Sequence, residues 1–219
     1  MSPSDKTIAD LARVLRFPVE HFHGPDIEEL SPDTASFRAL SSMTAGRRDS
    51  VLAAGALALV LALWIDARFA LPKPEVPDLR GYEPASAAAA LRTHWQLGER
   101  PIRNMVHLLE SKGVRVFSLA EESATDVDAF SAWKTDIPFV FLNTVKTAER
   151  SRFDAAHELG HLVLHRHGVP SGREPEYEAD RFASEFLMPR GSVLGVAPRF
   201  PNLEHLIVLK KNWNVSVAA

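Results

Sequence analysis

His157-Glu158-Leu159-Gly160-His161 places two imidazoles four residues apart, with a carboxylate directly after the first. A helix turns about 100° per residue, so positions i and i+4 share a face and both rings can reach one divalent ion. Glu158 falls to one side of that pair, where it can hold an attacking water and take its proton. The chemistry this pattern supports is metal-assisted hydrolysis. The chain holds nine histidines, so a five-residue match has an appreciable chance origin and needs support from its surroundings.

The elements around the pentapeptide supply that support. Residues 147–166 read as one helix, with Gly168 just past its end as a C′ residue. Phe153, Ala156, Leu159, Leu162, Val163 and Leu164 lie nearly all round it, so the helix is expected to be buried. Buried histidines need partners, because an unpaired buried polar group costs on the order of 1–3 kcal/mol. Downstream, Pro175 opens and Pro189 closes an amphipathic helix with Ala179, Phe182, Ala183, Phe186 and Leu187 on its apolar face. On the helical wheel Glu176 borders that face, which makes it the third ligand beside His157 and His161. Glu178 falls farther round, among surface residues with Arg181 and Glu185. Asp180, one turn on from Glu176, is placed to accept the second N–H of a ligating histidine. Tyr177 points away from the buried face, and His165 reads as a surface histidine at a helix end.

The run 152–165, followed by Glu176-x-x-Ala179-Asp180-x-Phe182-Ala183 and Phe186-Leu187-Met188-Pro189, resembles the ImmA/IrrE family of metallopeptidases. The resemblance extends upstream through Pro138-Phe139-Val140-Phe141-Leu142-Asn143 and covers roughly the second half of the chain. The family is similar to gluzincins in placing its third ligand in a Glu-x-x-x-Asp helix, and here that pattern falls on Glu176 and Asp180. The resemblance implies a cytoplasmic bacterial or phage endopeptidase whose substrate is a transcriptional repressor.

Composition fits that expectation. The 219 residues provide ample chain for a core. The absence of cysteine excludes disulfides and thiolate metal sites. A formal charge of −3 leaves no electrostatic footprint for nucleic acid. Residues 51–65 carry no charge, but a membrane span needs about 20 residues. The run is rich in alanine, so a buried helix is the expectation and no membrane partner is assigned. The first six residues show no signal-peptide pattern.

Near the N-terminus, residues 7–15 read as a short helix with Ile8, Leu11 and Leu15 on one face, before Phe17-Pro18-Val19. This stretch resembles the last helices of an XRE-type helix-turn-helix domain, without the scanning and recognition helices that would precede them. Base-edge readout needs a recognition helix, so autonomous DNA binding is not expected. His21 and His23 read as surface turn histidines. The domain reading is a helix-turn-helix remnant over 1–40, a helical spacer over 41–100, a peptidase core over 101–192 and a cut C-terminal helical segment over 193–219. In that segment 203–211 reads as a helix.

Within the spacer, 31–42 is loop-like, a long helix runs to about 69, and three prolines at 72, 74 and 77 form an extended connector. Pro84 opens a helix to about 95, and Pro101 opens another that Gly113 closes. Strands are expected at 114–119, 128–133 and 137–142. The fold class that results is α+β: mostly helical, zincin-like, with a small antiparallel sheet packed on the His-Glu-x-x-His helix. An extended peptide can add to such a sheet as a strand. One Zn²⁺, or manganese in its place, is the expected cofactor, with Glu158 as the catalytic base. A non-catalytic alternative is an XRE-type regulator in which the metal is sensory or structural. A structural site has no use for Glu158, since it closes its fourth position with Cys or His.

Overall fold

The computed structural model describes residues 3–24, 26–27, 44–119, 128–166 and 173–217. In chain order these form α1 (Asp5–Leu15), a 3-10 turn (Val19–His23), α2 (Ala45–Asp66), α3 (Pro84–His94), α4 (Met105–Ser111), β1 (Arg115–Ser118), β2 (Ala129–Lys134) and β3 (Ile137–Leu142). Four helices follow: α5 (Ala148–Leu164), α6 (Arg173–Leu187), α7 (Arg190–Val196) and α8 (Leu203–Trp213). The protein is an α+β, mostly helical chain around one small sheet. The loop expected at 31–42 and the C′ glycine at 168 lie outside the described residues.

The sheet has strand order β1-β3-β2. β2 and β3 form a tight antiparallel hairpin closed through Lys134↔Ile137, whereas β1 runs parallel to β3 in the register Arg115↔Phe139. The sheet is therefore mixed rather than wholly antiparallel. Alternation of apolar and polar residues reports which face a side chain takes, not strand direction. The two-residue turn fixes only the β2–β3 pair.

Each strand divides its side chains between two cores. Ala129, Trp133, Val140 and Leu142 pack with α5 and α6, while Phe130, Ala132, Phe139 and Phe141 pack with Val51, Leu59 and Ala62 of α2. Among the described side chains of α2, burial is confined to Val51, Gly55, Ala56, Leu59 and Ala62. Leu63 and Trp64 are more than half exposed, so the expectation of a buried helix holds for one face alone. By length and composition Arg48–Asp66 would suffice to cross a membrane.

α5 is the centre of the larger core. Thr147 caps its start by accepting from the Arg150 amide. Its final carbonyls, which have no partner within the helix, are met from outside. Trp133 Nε1 donates to the Leu162 carbonyl at 3.2 Å, and the Leu79 amide donates to Val163 at 2.9 Å. α6 lies against α5 along Ala179, Phe182, Ala183, Phe186 and Leu187, all fully buried as the wheel requires. Gly160 permits the close approach. A Cβ there would meet Phe182 Cδ1 at 3.1 Å and the Ala179 Cα at 3.2 Å.

α3 braces the other side of α6 through Arg92, a buried cation. It donates to the carbonyls of Gly98 at 2.8 Å, Arg100 at 2.6 Å and Phe186 at 2.5 Å. The proline-rich segment between α2 and α3 is extended as expected, and passes so close to Gly113 (φ +77°) that a Cβ would lie 2.4 Å from the Lys73 carbonyl carbon.

Two expectations shift. Pro101 does not open α4: Asn104 caps it, and the buried Arg152 guanidinium takes the carbonyls of Ile102 and Arg103 outside the helix. In α1 the buried residues are Ile8 and Ala12, while Leu11 and Leu15 are exposed, so the packed face lies about one position from the predicted one.

Candidate metal centre

α5 and α6 bring the three predicted ligands together. His157 Nε2 and His161 Nε2 are 3.0 Å apart. Glu176 places Oε2 at 3.4 Å from His157 Nε2 and Oε1 at 3.6 Å from His161 Nε2. A tetrahedral zinc site with bonds of 2.0–2.1 Å sets its donor atoms about 3.3–3.4 Å apart. The observed separations bracket that value, and a set of two imidazoles and one carboxylate suits zinc chemically. Among the described residues this is the group whose donor atoms fit one ion, all lying within 4.8 Å of one another.

The electrostatics of the pocket point the same way. Burial disfavours the charged form of His157, but hydrogen bonds to Asp180 and Glu176, with the nearby charge of Glu158, overcome it and push the group up to about 10. His161 is held well below the usual imidazole range by burial, then by the neighbouring His157 and His165. The protonated form is favoured at His157 and the neutral form at His161. Positive charge is favoured at the point where the three donor sets converge.

The supporting groups come from three elements. Asp180 Oδ1 accepts from His157 Nδ1 at 2.8 Å, where the wheel placed it. Glu158 is 4% exposed, and Ser131 of β2 donates to its Oε2 at 2.6 Å. Ser131 was not singled out from sequence, although a serine at an inward position between Ala129 and Trp133 is the signal that could have found it. Tyr177 is exposed, as expected.

His165 is not the surface residue predicted. It is buried, with Nδ1 3.0 Å from His161 Nδ1 and Nε2 2.7 Å from Glu178 Oε2. Glu178 is correspondingly drawn from the surface set. Arg181, predicted beside it, pairs instead with Glu83 at 2.8 Å. A wheel for one helix cannot register what the end of a neighbouring helix brings alongside it.

An apolar groove of about 630 Å³ lies between α2, the 3-10 turn and the hairpin, lined by Leu59, Ile137 and Phe139. It is on the sheet face opposite the histidines and takes no part in this centre.

No curated protein matches the chain. The family of metallopeptidases described by the IrrE N-terminal-like domain, Peptidase M78, matches residues 109–219, just over half of the sequence, and spans β1 to α8 with every residue of the centre. The chain therefore belongs to the Peptidase M78 family, with the metallopeptidase activity and protein substrate that this membership implies.

Proposed function

We propose that the chain is a zinc-dependent endopeptidase that cleaves a transcriptional repressor. His157, His161 and Glu176 serve as ligands, Glu158 as general base, and Asp180 as the group that orients His157. The observation that supports this reading most is the spacing of the three donor sets, with a buried carboxylate adjoining them.

Bound zinc supplies a Lewis acid for the scissile carbonyl and lowers the pKa of water at the site. Glu158 takes the proton of the attacking water and returns it to the leaving amine. Ser131 donates to Oε2 of that carboxylate, which restricts its rotation. Asp180 accepts from Nδ1 of His157, so the Nε2 lone pair is directed at the ion. β2 is an outer strand of the sheet and packs on α5. An extended peptide adding to it would pass the centre with its backbone held by strand hydrogen bonds.

A cytoplasmic setting and manganese as a substitute ion are part of the same proposal. So is the reading of 1–40 as an XRE-type helix-turn-helix segment. The division into 41–100, 101–192 and 193–219 stands on the same footing. The test is co-expression with repressors encoded by neighbouring genes. The proposal expects one of them to be cut by the wild type and to stay intact with Glu158→Gln. Cleavage that survives removal of zinc by a chelator would refute it.

A further inference from the structure

The two ligating imidazoles are supported in different ways. His157 meets its carboxylate, Asp180, directly, whereas His161 is met at Nδ1 by another imidazole. That nitrogen faces the Nδ1 of His165, whose other ring nitrogen faces Glu178. We propose that His165 and Glu178 form a two-link arm that fixes the tautomer of His161 and aims its Nε2 at the ion. This rests on the reading of His157, His161 and Glu176 as the ligands.

With His165 as a neutral imidazole and Glu178 as a carboxylate, hydrogen-bond bookkeeping along the arm gives one arrangement. An ionised carboxylate only accepts, so His165 must donate to Glu178 through Nε2–H. A neutral imidazole carries one N–H, which leaves Nδ1 of His165 as an acceptor. At 3.0 Å it can accept only from Nδ1–H of His161. His161 is then the Nδ1–H tautomer, and its Nε2 lone pair points toward His157 and Glu176.

The placement of the arm is also specific. Positions i and i+2 on a helix do not share a face, so Glu178 cannot reach the ion that Glu176 faces. It reaches past it to His165, which caps the end of α5. α6 thus supplies Glu176 as a ligand, Asp180 as the orienting group for one histidine, and Glu178 as the anchor of the chain behind the other. His165 is a positioning residue, since it touches His161 and not the reacting atoms.

The experiment titrates the metal-free full chain with zinc against a chromophoric chelator, comparing wild type with His165→Phe, His165→Asn and Glu178→Gln. His165→Phe removes the acceptor and is expected to weaken zinc binding about 10- to 100-fold, the usual loss when an outer partner of a ligating histidine is removed. His165→Asn keeps an acceptor oxygen near the Nδ1 position and is expected to recover most of that loss. Glu178→Gln should fall between wild type and His165→Phe. A second measurement needs no variant: ¹⁵N imidazole spectra of the zinc-loaded wild type should show a proton on Nδ1 of His161 and on Nε2 of His165. Equal zinc affinity for wild type and a folded His165→Phe, or protons on both nitrogens of His165, would overturn the inference. Failure of the wild type to take up zinc would instead overturn the ligand assignment beneath it.

Discussion

Gly160 is where α5 and α6 meet backbone to backbone, so one added methyl there tests whether helix approach sets the metal geometry. The Cβ of Gly160→Ala would sit 3.1 Å from Phe182 Cδ1, 3.2 Å from Ala179 Cα and 3.3 Å from Phe182 Cγ. Ordinary carbon contacts begin near 3.5 Å, so a displacement of roughly 0.3 Å is required. Phe182 is fully buried and stacked on Phe186 at 5.5 Å, and the Ala179 contact is backbone, so α6 itself must yield. Glu176 lies on that helix three residues before Ala179 and moves with it. Overpacking costs about 1–3 kcal/mol, offset by about 1 kcal/mol for replacing a mid-helix glycine with alanine. The expected net loss of stability is about 0–2 kcal/mol. Metal bonds tolerate about 0.2 Å, so zinc affinity should fall about tenfold, equivalent to 1.4 kcal/mol. Urea denaturation of the metal-free protein and chelator competition for zinc measure the two effects separately. A variant stabilised by the full helix-propensity gain of about 1 kcal/mol, with zinc affinity unchanged, would refute the reasoning.

Other perturbations follow from the same geometry. Ser131→Ala removes the donor to Glu158 Oε2; zinc content should be unchanged while proteolysis falls roughly 10- to 100-fold, as for loss of one hydrogen bond to a charged group. Arg92→Met leaves the carbonyls of Gly98, Arg100 and Phe186 without their donor and should cost about 3 kcal/mol in urea unfolding; an unchanged midpoint would show that the brace is dispensable. Zinc uptake should release about one proton at pH 7, read by calorimetry in buffers of differing ionisation enthalpy, because the ligands must be deprotonated to bind. The sign follows from His157, raised from 6.5 to about 10 in the metal-free pocket against the cost of burial. Its pairing with Asp180 and Glu176 therefore stabilises the metal-free fold fully below pH 6.5 and is lost as pH rises through about 10. Metal uptake independent of pH between 6 and 8 would contradict this.

Much of the centre is legible in the chain because it is helical and local. The i, i+4 spacing of His157 and His161 fixes their shared face, and the apolar stripe of α6 fixes the phase of Glu176 and Asp180. What the sequence does not show depends on how elements meet. Ser131 reaches Glu158 only because β2 crosses α5, and His165 is buried because α6 passes the end of that helix. The parallel β1–β3 pair is hidden because strand direction leaves no trace in alternation. The start of α4 was misplaced because Pro101 is a generic helix opener, whereas the carbonyls of Ile102 and Arg103 are claimed by Arg152, forty-nine residues or more away. The exposed face of α2, with Leu63 and Trp64 open, shows that an apolar run does not say on how many sides it is covered.

The central claim is that Glu158 activates water at a centre held by His157, His161 and Glu176. Its most direct test compares wild type and Glu158→Gln, each co-expressed with candidate repressors and each assayed for bound metal. The account predicts one zinc per chain in both proteins, and a rate of repressor cleavage at least about 100-fold lower in the variant. Equal cleavage by the two proteins at equal zinc content would contradict it.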